Sequence, residues 1–159
     1  MKIKLSVLFA LYLLILFSSC KKLTPAGFWL NYKSDFIKNR ISDQGPWGGT
    51  RAINWIANNP GTFNNDEVLK FAAKNGWKLT GTLYITEAQL KSWVDLNKPI
   101  FHLPYQTLPR WIYVDMTVYK FKTGWVAVEP GNARSTEENG YVAINKNGTL
   151  MSVYHVWGE

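Results

Sequence analysis

The chain has 159 residues, a single cysteine and a formal net charge of +7. This length suits one domain, and one cysteine excludes both an intrachain disulfide framework and a cysteine-based metal site. The basic residues are scattered, with no run beyond Lys21-Lys22. That spread reads as a solvated surface and argues against nucleic acid as a partner.

The N-terminus opens with Lys2 and Lys4 as a short positive region. Leu5 to Phe17 follow, 13 residues that are apolar except for Ser6. A membrane-spanning helix needs about 20 such residues, so this run fits the apolar region of a signal peptide better than a span. Ser18-Ser19 are small and Cys20 comes next. The tetrad Phe17-Ser18-Ser19-Cys20 resembles the lipobox of bacterial lipoproteins, with Phe17 at a place that is usually aliphatic in that family. The resemblance covers about 22 residues and implies cleavage before Cys20 and acylation of its thiol and new amine. Several acyl chains hold a protein on a bilayer far more firmly than one, at about 0.8 kcal/mol per buried methylene. Residues 1–19 are then a leader, 20–26 a lipidated tether, and 27–159 one globular domain. Losing Lys2 and Lys4 with the leader lowers the formal charge from +7 to +5. Lys21 stands directly after the cysteine where an aspartate would imply inner-membrane retention. The resemblance thus leans to the outer membrane of a bacterial envelope, facing the periplasm.

Beyond the tether, apolar residues at Trp29, Leu30, Phe36, Ile37 and Ile41 suggest a helix from Phe28 to Ile41. Gln44 to Gly49 is a glycine- and proline-rich break. Ile53, Trp55 and Ile56 suggest a short helix over Thr50 to Asn58, stopped by Asn59-Pro60-Gly61. Asn64 followed by Glu67 has the spacing of a capping box, and Gly76 suits a left-handed helix end. Trp77 to Ile85 reads as extended, and Thr86 with Gln89 gives a second capping box for a helix to about Leu96. Pro99, Pro104 and Pro109 punctuate a loop holding His102 and Tyr105.

The remainder alternates. Arg110 to Phe121 places Ile112, Val114, Met116 and Val118 on one face and Trp111, Tyr113, Asp115, Thr117, Tyr119 and Phe121 on the other. Lys122-Thr123-Gly124 reads as a turn into a strand from Trp125 to Glu129. Pro130 to Asn139 reads as an exposed loop. Gly140 to Asn145 and Thr149 to Trp157 form a last hairpin around Asn147-Gly148, a strong turn signal because both residues tolerate positive φ. Helices first and strands second predict an α+β fold, with N-terminal helices packed on a C-terminal antiparallel sheet of about four strands.

The solvated face of such a sheet is usually polar, so an aromatic one suggests a partner. Trp111, Tyr113, Tyr119 and Trp125, with Trp157 and His155 from the last strand, are the candidate ligand-binding residues; core packing is the competing account of the same pattern. Neither His102 nor His155 has a metal-ligand pairing at helical or hairpin spacing, and no cofactor motif is present. Asp115 and Glu129 are a weak carboxylate pair. The reading that follows is a lipid-anchored envelope protein that binds a protein, peptide or glycan, an immunity or inhibitor protein being one form. An envelope-polymer hydrolase and a structural or assembly lipoprotein are the alternatives.

Overall fold

A computed structural model describes residues 25–96, 114–128 and 135–158. The leader, Cys20, His102, Trp111, Tyr113 and Glu129 lie outside the described residues. Two short 3-10 turns, Gly27–Asn31 and Ser34–Phe36, lead into β1 (Ile37–Gln44) and β2 (Gly48–Ile56). Then come α1 (Asn65–Lys74), β3 (Lys78–Ile85), α2 (Glu87–Leu96), β4 (Met116–Val128), β5 (Ser135–Asn145) and β6 (Leu150–Gly158). The six strands form one sheet in the order β1-β2-β6-β5-β4-β3, with antiparallel neighbours. One parallel bridge, Ala127 to Gly158, draws the end of β4 against the end of β6.

This architecture corrects the expected one. The fold is a six-stranded antiparallel sheet with two short α-helices, not N-terminal helices on a four-stranded sheet. The segment expected to be helical at Thr50 to Asn58 is the body of β2. Ile53 and Ile56 have helical spacing, yet Ile53 is fully buried and Ile56 is 42% exposed. The true period is two: Arg51, Ile53 and Trp55 face one side, and β-branched and aromatic residues fit that pleated surface. The expected helix from Phe28 to Ile41 is interrupted by Lys33, whose φ of 41° is left-handed. A non-glycine residue there breaks a right-handed helix. Ile41, 62% exposed, never joins a helical apolar face.

Two later boundaries also move. Lys122-Thr123-Gly124 does not reverse the chain, because β4 continues to Val128. The extra residues form a bulge opposite β5, and Gly124 accommodates it with φ 81°. The expected loop from Pro130 to Asn139 is strand from Ser135 onward, and Asn139 is fully buried.

The local signals hold. Asn64 Oδ1 accepts the backbone N–H groups of Asp66 at 2.9 Å and Glu67 at 3.3 Å, capping α1. Glu67 itself reaches Lys33 at 2.9 Å instead of closing the box. Gly76 ends the helix with φ 86°. At α2 the box closes: Gln89 N–H donates to Thr86 Oγ1 at 3.2 Å, and Thr86 N–H donates to Gln89 Oε1 at 2.9 Å. The β5–β6 hairpin turns at Gly148, whose N–H donates to Asn145 O at 2.9 Å.

Both faces of the sheet are covered. Tyr119, Phe121, Val142, Ile144, Met151, Val153, Ile53 and Trp55 meet Trp29, Val68, Ala72 and Trp77 in the main core. Trp29 is its hub, with ring centroids 5.2 Å from Phe71, 5.5 Å from Trp77 and 6.4 Å from Trp55. On the other face Met116, Val118, Tyr141, Ala143 and Tyr154 pack with Ile85 of β3 and Leu90 of α2. The alternation along β4 is as the sequence indicates, but its aromatic side is the larger core. Among the described residues, no helix is long and apolar enough to cross a membrane.

Candidate functional site

The nine residues of β2 run from one end of the sheet to the other, about 27 Å at the usual rise of a strand. Each end carries a concavity, and the two are built from different chemistry.

At the first end, Gly45 N–H donates to Gly48 O at 2.8 Å and closes the β1–β2 turn, leaving Trp47 77% exposed at its tip. The turn rests on the end of β6 because Gly158 has no side chain. A Cβ there would overlap the carbonyl oxygen of Trp47, and its φ of 77° also favours glycine. A shallow cavity of about 220 Å³ results, walled by Pro25, Gln44, Pro46, Trp47, Trp125 and Trp157. Behind it, the β4 bulge encloses a polar knot. Thr123 Oγ1 donates to Asn139 Oδ1 at 2.7 Å. That hydroxyl has one proton, so at 3.1 Å from His155 Nε2 it accepts, and His155 carries its proton on Nε2. Asn139 Nδ2 donates to the carbonyls of Val156 at 2.8 Å and Trp125 at 3.0 Å. His155 is fully buried, stacked on Trp157 at 5.2 Å and set across the strand from Arg51. Burial, with the Arg51 charge added, pushes its pKa down to about 3, so the ring is neutral at physiological pH.

At the second end, a cleft of about 330 Å³ is lined by Phe63, Asn64, Asn65, Tyr84, Thr117 and Asn147, among others. Its walls are tied by backbone bonds: Gly61 N–H to Asn147 O and Phe63 N–H to Gly148 O, both 2.8 Å. The Tyr84 ring is 52% exposed, and its hydroxyl donates to Asp115 Oδ2 at 2.9 Å. The other oxygen of Asp115 accepts Glu87 N–H at 3.0 Å. These two bonds, the backbone one foremost, with Lys146 nearby, hold the Asp115 carboxyl below the usual carboxylate range. Donating to that carboxylate raises the Tyr84 phenol.

The described residues of the expected binding face are dispersed. Tyr119 is buried in the main core, His155 is sealed in the polar knot, and Trp157 is the buried floor of the first cavity. Trp125, 37% exposed, is on that cavity's rim. Trp111 and Tyr113 lie outside the described residues. Of the groups a hydrolase would use, His155 and Asp115 are the described ones, and these two do not meet. His155 pairs with Gly140, whereas Asp115 adjoins Met116, which pairs with Asn145. The separation is five residues along β5, about 17 Å. Among the described residues, no group of three or more His, Cys, Asp or Glu could hold a metal ion.

Trp47, Tyr84 and Asn147 were not singled out by sequence as site residues. A signal for Trp47 existed: a tryptophan in a Gly-Pro turn between two strands has little chain around it to bury it. No protein-family model matches this chain, and neither a curated protein nor a solved structure matches it.

Proposed function

We propose that this chain is a lipid-anchored binding protein of the bacterial cell envelope, held at Cys20 in the outer membrane and facing the periplasm. Its ligand site is the cleft between Tyr84 and Asn147, and its ligand is an envelope chain rich in hydroxyl and amide groups, a wall glycan or a stem peptide. The observation that carries this is the placement of the cleft at the end of the sheet opposite Pro25. A protein tethered five residues before Pro25 would hold that cleft well clear of the bilayer.

The chemistry of the lining supports the same reading. Asn65, Asn147 and Thr117 offer both donors and acceptors, Lys146 a cation, and Tyr84 an exposed ring. The volume lies within the usual range for ligand sites, about 300–1,000 Å³. Walls fixed by backbone hydrogen bonds need little ordering when a ligand arrives, which favours affinity.

Calorimetric titration of the processed lipoprotein with soluble wall glycan, and separately with stem peptide, tests this. One of the two should bind saturably, and Tyr84→Ala should weaken it by about tenfold, or about 1.4 kcal/mol. Equal affinity in the Tyr84→Ala and Asn147→Ala variants, or no saturable binding of either ligand, would overturn the reading.

A further inference from the structure

We infer that the Trp47 end of the sheet is a membrane-contact surface, with Trp47 seated in the headgroup layer of the bilayer that carries the anchor and Trp125 beside it. The inference rests on the proposed acylation of Cys20. Pro25 lines the Trp47 cavity and lies five positions after Cys20. A fully extended chain covers at most about 3.6 Å per residue, so this end can stand no more than about 18 Å from an acylated cysteine.

The side chains there suit the place. Trp47 is 77% exposed, Trp125 37% and Val126 45%, and Pro25 and Pro46 add apolar wall. Tryptophan concentrates at bilayer interfaces because its ring is apolar and its N–H still finds a polar partner. Lys21-Lys22, inside the tether, add cations that anionic headgroups attract. The presentation is rigid as well. The Gly45–Gly48 bond and the close seat on Gly158 fix the turn, so Trp47 is held outward by backbone and not by a loose loop.

The cavity here is lined mainly by tryptophan, proline and glycine, with Gln44. The cavity of about 220 Å³ falls below the usual range of about 300–1,000 Å³, whereas the Tyr84 cleft falls within it. A shallow apolar rim fits a surface better than an enclosed ligand.

The test uses the full processed lipoprotein in vesicles of phosphatidylethanolamine and phosphatidylglycerol, brominated near the headgroup. Tryptophan emission should be quenched, and Trp47→Phe should remove most of the quenchable part. Trp47 packs little, so this variant keeps the fold. Tyr84→Trp, placed in the Trp47→Phe background, should add emission that the bromines do not reach. Unchanged quenching in Trp47→Phe, or strong quenching of a tryptophan at position 84, overturns the inference. So does quenching of Trp47 by soluble wall glycan without vesicles, which would assign the patch to glycan. Mass spectrometry of the same preparation reads the anchor independently. If no acyl chains are found, the anchor reading fails, and the docking is scored on the unacylated protein with the same vesicles and the same variant.

Discussion

The Trp47 end and the Tyr84 end share the same strands but solve opposite problems. At the Trp47 end the polar groups are turned inward: Thr123 links Asn139 to His155 Nε2 in a buried knot that leaves His155 Nδ1 without a partner, and tryptophan and proline face out. At the Tyr84 end, amides, a lysine and a phenol line the opening, and the apolar residues lie below. A buried polar network is stable only when its members find partners, while an exposed one has water to bind. The first end therefore depends on packing and on a neutral histidine, and the second on helix capping, local turns and an ionised Asp115. This difference can be broken experimentally, one element at a time.

The largest effect should come from the hub both ends share. Trp29 is fully buried and touches Phe28, Tyr32, Trp55, Phe71 and Trp77. Trp29→Ala should cost about 3–5 kcal/mol in urea unfolding. It should destabilise both ends together, read as parallel loss of amide protection at Trp47 and at Asn147. Loss at one end only would mean that the two ends unfold as separate units.

Acid should then separate the ends. His155 has a pKa of about 3 in the folded chain against 6.5 unfolded. Between those values the unfolded chain takes up a proton that the folded chain refuses. Stability is therefore full above about pH 6.5 and falls as pH drops toward 3, by about 1.4 kcal/mol per unit. Replacing His155 with Phe, flat enough to stack on Trp157, should flatten that slope in unfolding measured across the window. A slope unchanged by the substitution would place the acid-sensitive group elsewhere.

The same contrast explains what could be read from the sequence. Signals confined to a few neighbouring residues were legible: the Asn64 cap, the Thr86–Gln89 box, the Asn147-Gly148 turn and the alternation of β4. Strands made by distant pairing were not. β2 exists because Arg51, Ile53 and Trp55 lie across from His155, Val153 and Met151, about a hundred residues away. Within its own segment, the spacing of Ile53 and Ile56 equally suits a helix. Burial of the aromatic side of β4 was not legible for a related reason. Period two says that Tyr119 and Phe121 share a side, but not that Trp29 and α1 will cover it. The exposure of Trp47 becomes a local signal only once its flanks are known to be strands, and the pairing that makes β2 a strand is itself distant.

A smaller change tests the rigidity of the Trp47 turn. Gly158→Ala drives a methyl group into Trp47's carbonyl at a left-handed position. Overpacking of this kind costs about 1–3 kcal/mol. It should shift backbone resonances of residues 45–48 and spare those of the Tyr84 cleft. If the cleft shifts as well, the ends are coupled through β6 and the comparison loses its independence.

The smallest effect belongs to the Tyr84 end. Asn64 lines the cleft and also caps α1 through the N–H groups of Asp66 and Glu67. Asn64→Ala should cost about 1 kcal/mol, while Asn64→Ser, a competent cap, should recover most of it. Neither should alter the acid slope set by His155, because the cap joins a side-chain amide to backbone N–H groups and lies at the far end of the strands. Equal losses from Ala and Ser would show that Asn64 acts through its contacts in the cleft and not through its cap. A changed acid slope would mean that the Tyr84 end influences the buried histidine through the length of the sheet.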